Sequence, residues 1–182
     1  MYAGHFAMGL ALKARRPDAP TWGLLIGTGL LDILFGPFVL LGIERASMTP
    51  GHPPGFTLDF IDWSHSLAAS LFWALLYGWL FRKRGVTIAG VMGFAVFSHF
   101  LLDLPMHPPD LALWPGSSIH LGLGLWHTRF WWWEELAFVA AACGYYRARA
   151  RRLRSFGANA SVACLVVLAL HALNSPWLQL GH

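Results

Sequence analysis

Apolar residues run along this chain in long blocks, without the strict alternation of a half-buried strand or the single stripe of an amphipathic surface helix. A helix that crosses a bilayer needs about 20 mostly apolar residues, and the blocks at 21–43, 62–81, 86–104, 125–146 and 158–174 approach that length. The first block, 1–12, is too short to cross. It reads as a half-helix, admissible in a bilayer only where protein or a cavity covers its backbone. Pro17 and Pro20 separate it from the next block, and Ser155 and Gly157 separate the last two. Pro50, Pro53, Pro54 and Gly55 mark one long loop, and Pro105, Pro108, Pro109, Pro115 and Gly116 mark another. No internal repeat is visible. The pattern predicts an all-α polytopic membrane helix bundle. It would have five transmembrane helices plus a short N-terminal half-helix, forming one integral membrane domain over 1–182.

Composition agrees with that expectation. Of 182 residues 56% are hydrophobic and only 12% charged, whereas a soluble domain carries about 25% charged residues. The net charge of +4 could suggest a nucleic-acid partner. The basic residues instead fall in short clusters between apolar blocks, which argues against nucleic acid and against a disordered chain. Those clusters are Lys13, Arg15 and Arg16, then Arg82, Lys83 and Arg84, then Arg147, Arg149, Arg151, Arg152 and Arg154. With five spans all three share one face. Because Lys and Arg collect in cytoplasmic loops, that face is expected to be cytoplasmic, with loops 44–61 and 105–124 and the C-terminus outside. Arg147 to Arg154 read as an orientation signal ahead of a site for anionic lipid headgroups. The N-terminal block has its charges after the apolar stretch, so it reads as retained rather than as a cleaved signal. Cys143 and Cys164 lie inside apolar blocks and read as buried free thiols.

The same map sorts the titratable residues. Of nine Asp and Glu only Asp18 falls in a cytoplasmic loop, and of nine His none does. Asp32 lies about 16 Å into its block at 1.5 Å per residue, close to the midplane of a roughly 30 Å core. Glu134 and Glu135 also fall inside a block. A charge there costs about 2.5 to 3.5 kcal/mol even on lenient insertion scales, so it must face protein, water or a metal.

Spacing narrows the candidates. His99 and Asp103 share a helix face, as do Asp62 and His65 on the preceding helix. Antiparallel packing of these two helices brings both pairs to one outer height, with Asp32 below. Imidazole and carboxylate converging from separate helices suit Zn²⁺ or, with more oxygen ligands, Mn²⁺, Fe²⁺ or Mg²⁺. Such an ion would lower the pKa of a bound water to about 7. Glu135 or Glu134 is placed to act as ligand or general base, and His5 could close the site from a third direction. His127, His107 and Asp110 fall near the opening. His52, His120, His171 and His182 read as structural or solvent-facing. The competing reading is a hydrogen-bonded network that only joins helices. Ten Trp read as an interfacial belt. Ser64-His65-Ser66 suggests a nucleophilic serine, but neighbours on a helix do not face each other, which places His65 poorly for activating either one.

Gly4-His5-Phe6, Asp32 within Leu31-Asp32-Ile33-Leu34-Phe35-Gly36-Pro37, Ser64-His65-Ser66-Leu67 and Ser98-His99-Phe100-Leu101-Leu102-Asp103 together resemble the YdjM-like membrane-bound metal-dependent hydrolases of bacterial inner membranes. A subgroup described as hypothetical permeases is similar in further segments. These are Leu41-Gly42-Ile43-Glu44-Arg45, Pro108-Pro109-Asp110-Leu111, Pro115-Gly116 and Gly122-Leu123-Gly124-Leu125-Trp126, with an acidic residue in the next helix. The likeness covers 1 to about 146. It implies a metal site at His5, Asp32, His65, His99 and Asp103. Phe60-Ile61-Asp62-Trp63 stand where the broader group has a His-Arg-Gly run, so Asp62 is the replacement candidate there. Glu135 and Asp62 are the expected catalytic carboxylates or proton carriers.

The sequence therefore leads to a metal-dependent hydrolase in the bacterial inner membrane, acting on a phosphate or carboxylic ester of an amphiphilic substrate, with membrane lipids around it. A non-enzymatic subunit of a larger membrane complex, holding a cofactor through its histidines, is the second expectation. A small proton or metal carrier is the third, weakened by a cytoplasmic half with almost no polar residues to continue a path.

Overall fold

The computed structural model describes residues 1–48, 56–153 and 157–175. His52, Pro50, Pro53, Pro54, Gly55, Arg154, Ser155 and His182 lie outside the described residues. The elements are α1 (Tyr2–Arg15), α2 (Thr21–Thr28), α3 (Leu30–Leu40), β1 (Arg45–Met48), β2 (Phe56–Phe60), α4 (Asp62–His65), α5 (Leu67–Leu80), α6 (Val86–Met106), β3 (Leu111–Ala112), β4 (His120–Leu121), α7 (Trp131–Leu153) and α8 (Gly157–Leu173).

α1 is the central helix. Its small residues Ala3, Gly4, Ala7 and Ala14 are buried, which lets neighbouring backbones approach closely. One side of α1 packs on α7 and α8, through Leu10, Val139, Cys143, Tyr146, Cys164 and Val167. α2 and α6 cover other parts of it, and beyond them Leu24, Tyr77, Met92, Val96 and Phe100 join α2, α5 and α6 in a second apolar cluster. α5 and α6 lie nearly backbone to backbone. A Cβ on Gly93 would sit 2.8 Å from the Ala74 carbonyl oxygen, and one on Gly78 would sit 2.8 Å from that of Ala89. Cys143 and Cys164 are buried free thiols, as the blocks suggested.

The five-span bundle is not what forms. Among the described residues one helix, Val86–Met106, is long and apolar enough to cross a membrane, or two if the bent pair Thr21–Thr28 and Leu30–Leu40 counts as one span. Each other block fails for a physical reason. Block 21–43 breaks at Gly29, where the helix axis turns by 52°. Block 62–81 breaks at Ser66, which leaves helical geometry (ψ 156°) and accepts a hydrogen bond from the Ala69 N–H as the cap of α5. The 14 residues of α5 then extend only about 21 Å. α7 is long, but Glu134, Glu135 and its arginines lower its apolarity. α8 stops at 17 residues.

Nor is the fold purely helical, because both long loops carry a short antiparallel ribbon. β1 pairs with β2 through Ala46–Leu58, Ser47–Thr57 and Met48–Phe56, and β3 pairs with β4 through Leu111–Leu121 and Ala112–His120. The second ribbon closes onto the end of α6 through Gly122. Its φ of +138° and the close approach of the Pro108 carbonyl oxygen to where a Cβ would stand admit no side chain.

Candidate metal centre

Both helix breaks supply site residues. The bend at Gly29 places Asp32 in the first turn of α3, and the break at Ser66 leaves His65 at the end of the four-residue α4. α6 contributes His99 and Asp103, one turn apart on one face, and His107 follows as the residue that caps its C-terminal end. His5 enters from α1. The result is a cluster drawn from α1, α3, α4 and α6.

Asp103 is buried at its centre. The Met1 amino group lies 2.9 Å and His5 Nε2 lies 3.1 Å from its Oδ1. His99 Nε2 lies 3.1 Å and His107 Nε2 lies 3.8 Å from its Oδ2. Asp32, whose side chain is half exposed at the cavity wall, places Oδ1 at 3.5 Å from His65 Nε2 and 3.6 Å from His99 Nε2. His5 and His99 stack with ring centroids 3.6 Å apart.

The outer nitrogens of three histidines meet acceptors. His99 Nδ1 lies 2.7 Å from the Thr28 carbonyl oxygen, at the helix break. His107 Nδ1 lies 3.0 Å from Asp110 Oδ1. His65 Nδ1 lies 2.6 Å from Ser64 Oγ, and that hydroxyl sits 2.8 Å from a Glu44 carboxylate oxygen. A carbonyl or carboxylate only accepts, so Nδ1 of His99 and of His107 carries a proton; a neutral ring then presents its Nε2 lone pair inward, whereas an imidazolium donates from Nε2 to the facing carboxylate. His99 Nε2 is buried without a hydrogen-bond partner while it faces two carboxylates. That nitrogen is either protonated and donating to them or sets a lone pair against lone pairs, an arrangement that a metal cation between them would relieve.

Two triads bring one ligand atom each within 4.8 Å of one another, His5/His99/Asp103 and Asp32/His65/His99, so the cluster could hold a metal ion. The separations fit. A tetrahedral zinc with bonds near 2.0–2.1 Å has ligand–ligand edges of about 3.3–3.4 Å; the nitrogen–oxygen edges here are 3.1–3.6 Å, and all ligand atoms of each triad lie within 4.8 Å. Both triads need the one free nitrogen of His99, so they describe alternative ligand sets around a single ion. A cavity of about 260 Å³ opens beside them, lined by Asp32, His65 and His107 together with Phe35, Leu58 and Trp126.

The remaining candidates go elsewhere. Asp62 Oδ2 accepts from the Gly116 N–H at 2.8 Å and ties the second ribbon across α4. Glu135 is buried on α7, accepting from the Gly4 N–H at 2.9 Å, with His171 Nδ1 at 3.7 Å. A carboxylate there answers the unpaired donors at the start of α1. Among the described residues neither belongs to a group that could share an ion. His171, expected to be structural or solvent-facing, is buried against Glu135, while His120 and His127 are exposed. His107 is drawn in from the opening by Asp110 and by Trp126, whose ring centroid is 4.5 Å away.

The Ser64–His65 contact corrects the helical argument made for those neighbours. α4 ends at His65, so adjacent side chains can meet. The order is nevertheless Glu–Ser–His, with the carboxylate behind the serine, whereas an activated nucleophile needs the histidine between them. Glu44 itself arrives by a turn. Gly42, at φ +70°, lets the Ile43 and Glu44 N–H groups fold back onto the Phe38 carbonyl and swings the carboxylate inward. Burial pushes its pKa above the usual carboxylate value, opposed by the Ser64 hydrogen bonds. Sequence spacing had no way to join residues 44 and 64. No family model, curated protein or solved structure matches the chain.

Proposed function

We propose that the protein is a metal-dependent hydrolase of the bacterial inner membrane whose resident ion is zinc, held by His65, His99 and Asp32, with Asp103 and His5 completing or exchanging with that set. The observation that carries the reading is the convergence of His5, His99 and Asp103, and of Asp32, His65 and His99, each set with one ligand atom per residue within 4.8 Å of the others. Mixed nitrogen and oxygen donors at these separations favour zinc over manganese, iron or magnesium. Bound there, zinc would supply an activated water nucleophile at neutral pH. His107, against the cavity, is positioned to pass a proton. The apolar wall of Phe35, Leu58, Ile61 and Trp126 suits the apolar part of an amphiphilic phosphate or carboxylic ester.

Two features support the location. Large apolar side chains face outward, among them Leu75, Val86 and Leu165 at 75%, 87% and 65% exposure, and lipid would cover them. Arg82, Lys83 and Arg84 precede α6, whose far end carries the site, so the positive-inside rule puts the site on the non-cytoplasmic side.

Elemental analysis of detergent-purified wild type beside Asp32→Asn and His65→Ala tests the reading. About one zinc per chain, lost in both variants, is expected. A folded wild type purified without chelator and free of divalent metal would overturn it. A visible chromophore in that sample would favour an accessory subunit of a membrane complex.

A further inference from the structure

We infer that Glu44 is a positioning residue that acts through the Ser64 hydroxyl to hold His65 in the Nδ1–H tautomer, keeping Nε2 free for an ion. The inference rests for its functional meaning on the metal reading above. Glu44 carboxylate oxygens lie 2.9 and 2.8 Å from Ser64 Oγ, and Oε1 also accepts from the Ser64 N–H at 2.8 Å. Glu44 and Ser64 are buried, at 1% and 0% exposure, so no water competes for these bonds. An ionised Glu44 accepts only, so the hydroxyl donates to it. The hydroxyl has one hydrogen. Once that is committed to Glu44, its contact with His65 at 2.6 Å must run from Nδ1–H to oxygen. In the neutral ring Nε2 then carries the lone pair, 3.5 Å from Asp32 Oδ1.

The relay does for His65 what the Thr28 carbonyl does for His99 and Asp110 does for His107. It is the only one of the three that depends on an intermediate group, and a near-isosteric change at its far end can reverse it. In Glu44→Gln the amide NH₂ can donate to Ser64 Oγ, which frees the hydroxyl hydrogen to point at His65 Nδ1. The proton on the imidazole then moves to Nε2, and an N–H replaces the ligand lone pair with no loss of packing.

The test uses full-length wild type, Glu44→Gln and Glu44→Asp in one detergent, with zinc affinity measured by chelator competition and the His65 tautomer read from ¹⁵N shifts of the metal-free proteins. Glu44→Gln should bind zinc 10- to 100-fold more weakly, as expected when an outer partner of a ligating histidine is lost, and should show Nε2–H. Glu44→Asp should keep Nδ1–H. Wild-type zinc affinity in Glu44→Gln, or an unchanged Nδ1–H signal, would overturn the relay. If Glu44→Gln fails to fold, Ser64→Ala removes the same hydroxyl. Undiminished zinc affinity there would be equally fatal. If wild type takes up no zinc, the metal reading fails, while the tautomer comparison still decides the relay.

Discussion

Replacing Asp32 by Asn separates a metal centre from a self-contained hydrogen-bond network, because the two readings predict opposite signs for stability. In a metal centre the metal-free cluster is frustrated, with Asp32 Oδ1 at 3.5 and 3.6 Å from two nitrogen lone pairs. An amide nitrogen in place of that oxygen could donate to one of them. At the long end of hydrogen-bond geometry the gain is about 0.5 kcal/mol. For a chain of this size that is roughly 1–2 °C in Tm. If instead an imidazolium donates to Asp32, the change removes a charge-assisted bond worth about 1.5–3 kcal/mol, a fall of roughly 3–12 °C. Zinc adds a second readout. At free zinc 100 times Kd, wild type should gain about 2.7 kcal/mol, or roughly 5–11 °C. The variant should gain little. Thermal melts followed by circular dichroism, with chelator and with graded zinc, give both numbers. A chelated Asp32→Asn protein that melts well below wild type, or one that keeps the full zinc shift, would refute the reasoning.

The remaining expectations concern packing, pH and the cavity. Gly93→Ala drives a methyl to 2.8 Å from the Ala74 oxygen, so α5 and α6 must separate at a cost of about 1–3 kcal/mol; thermal melting that matches wild type would contradict the close approach. Asp18 is held below its ordinary value by the Arg16 hydrogen bond. A lowered carboxyl pKa stabilises the fold above the unfolded value of 3.8 and loses that contribution as pH falls through the folded value. The small stability difference between wild type and Asp18→Asn should therefore be present at pH 7 and shrink below about pH 4, as checked by urea melts at both. Trp126→Ala opens the cavity wall without touching a ligand, so zinc content should hold while KM for an amphiphilic ester rises severalfold. Loss of zinc in that variant would place Trp126 in the metal's support.

Local chemistry in the sequence determined a good deal. The scarcity of charge and the length of the apolar blocks established a mainly helical chain. The i, i+4 spacing of His99 and Asp103, the i, i+3 spacing of Asp62 and His65, a costly carboxylate at Asp32, and His5 in the N-terminal half-helix pointed to the groups that converge in the structure, Asp62 excepted. Those signals survive because helix periodicity and the cost of burying charge act within a few residues. The number of spans was not legible. Whether an apolar block continues as one helix depends on what its interior must reach, and at Gly29 and Ser66 the chain breaks where Asp32, the Thr28 carbonyl and His65 serve the cluster. Glu135 and Asp62 were expected to be catalytic carboxylates or proton carriers, and the structure places both outside the cluster. Which partners they took, Gly4 and Gly116, was decided by how α7 and the second ribbon docked. Glu44 and His107 show the same limit. A buried side chain gains its role from groups 20 or more residues away or from a ring folded over it, and long-range packing of that kind leaves no periodic trace in the sequence.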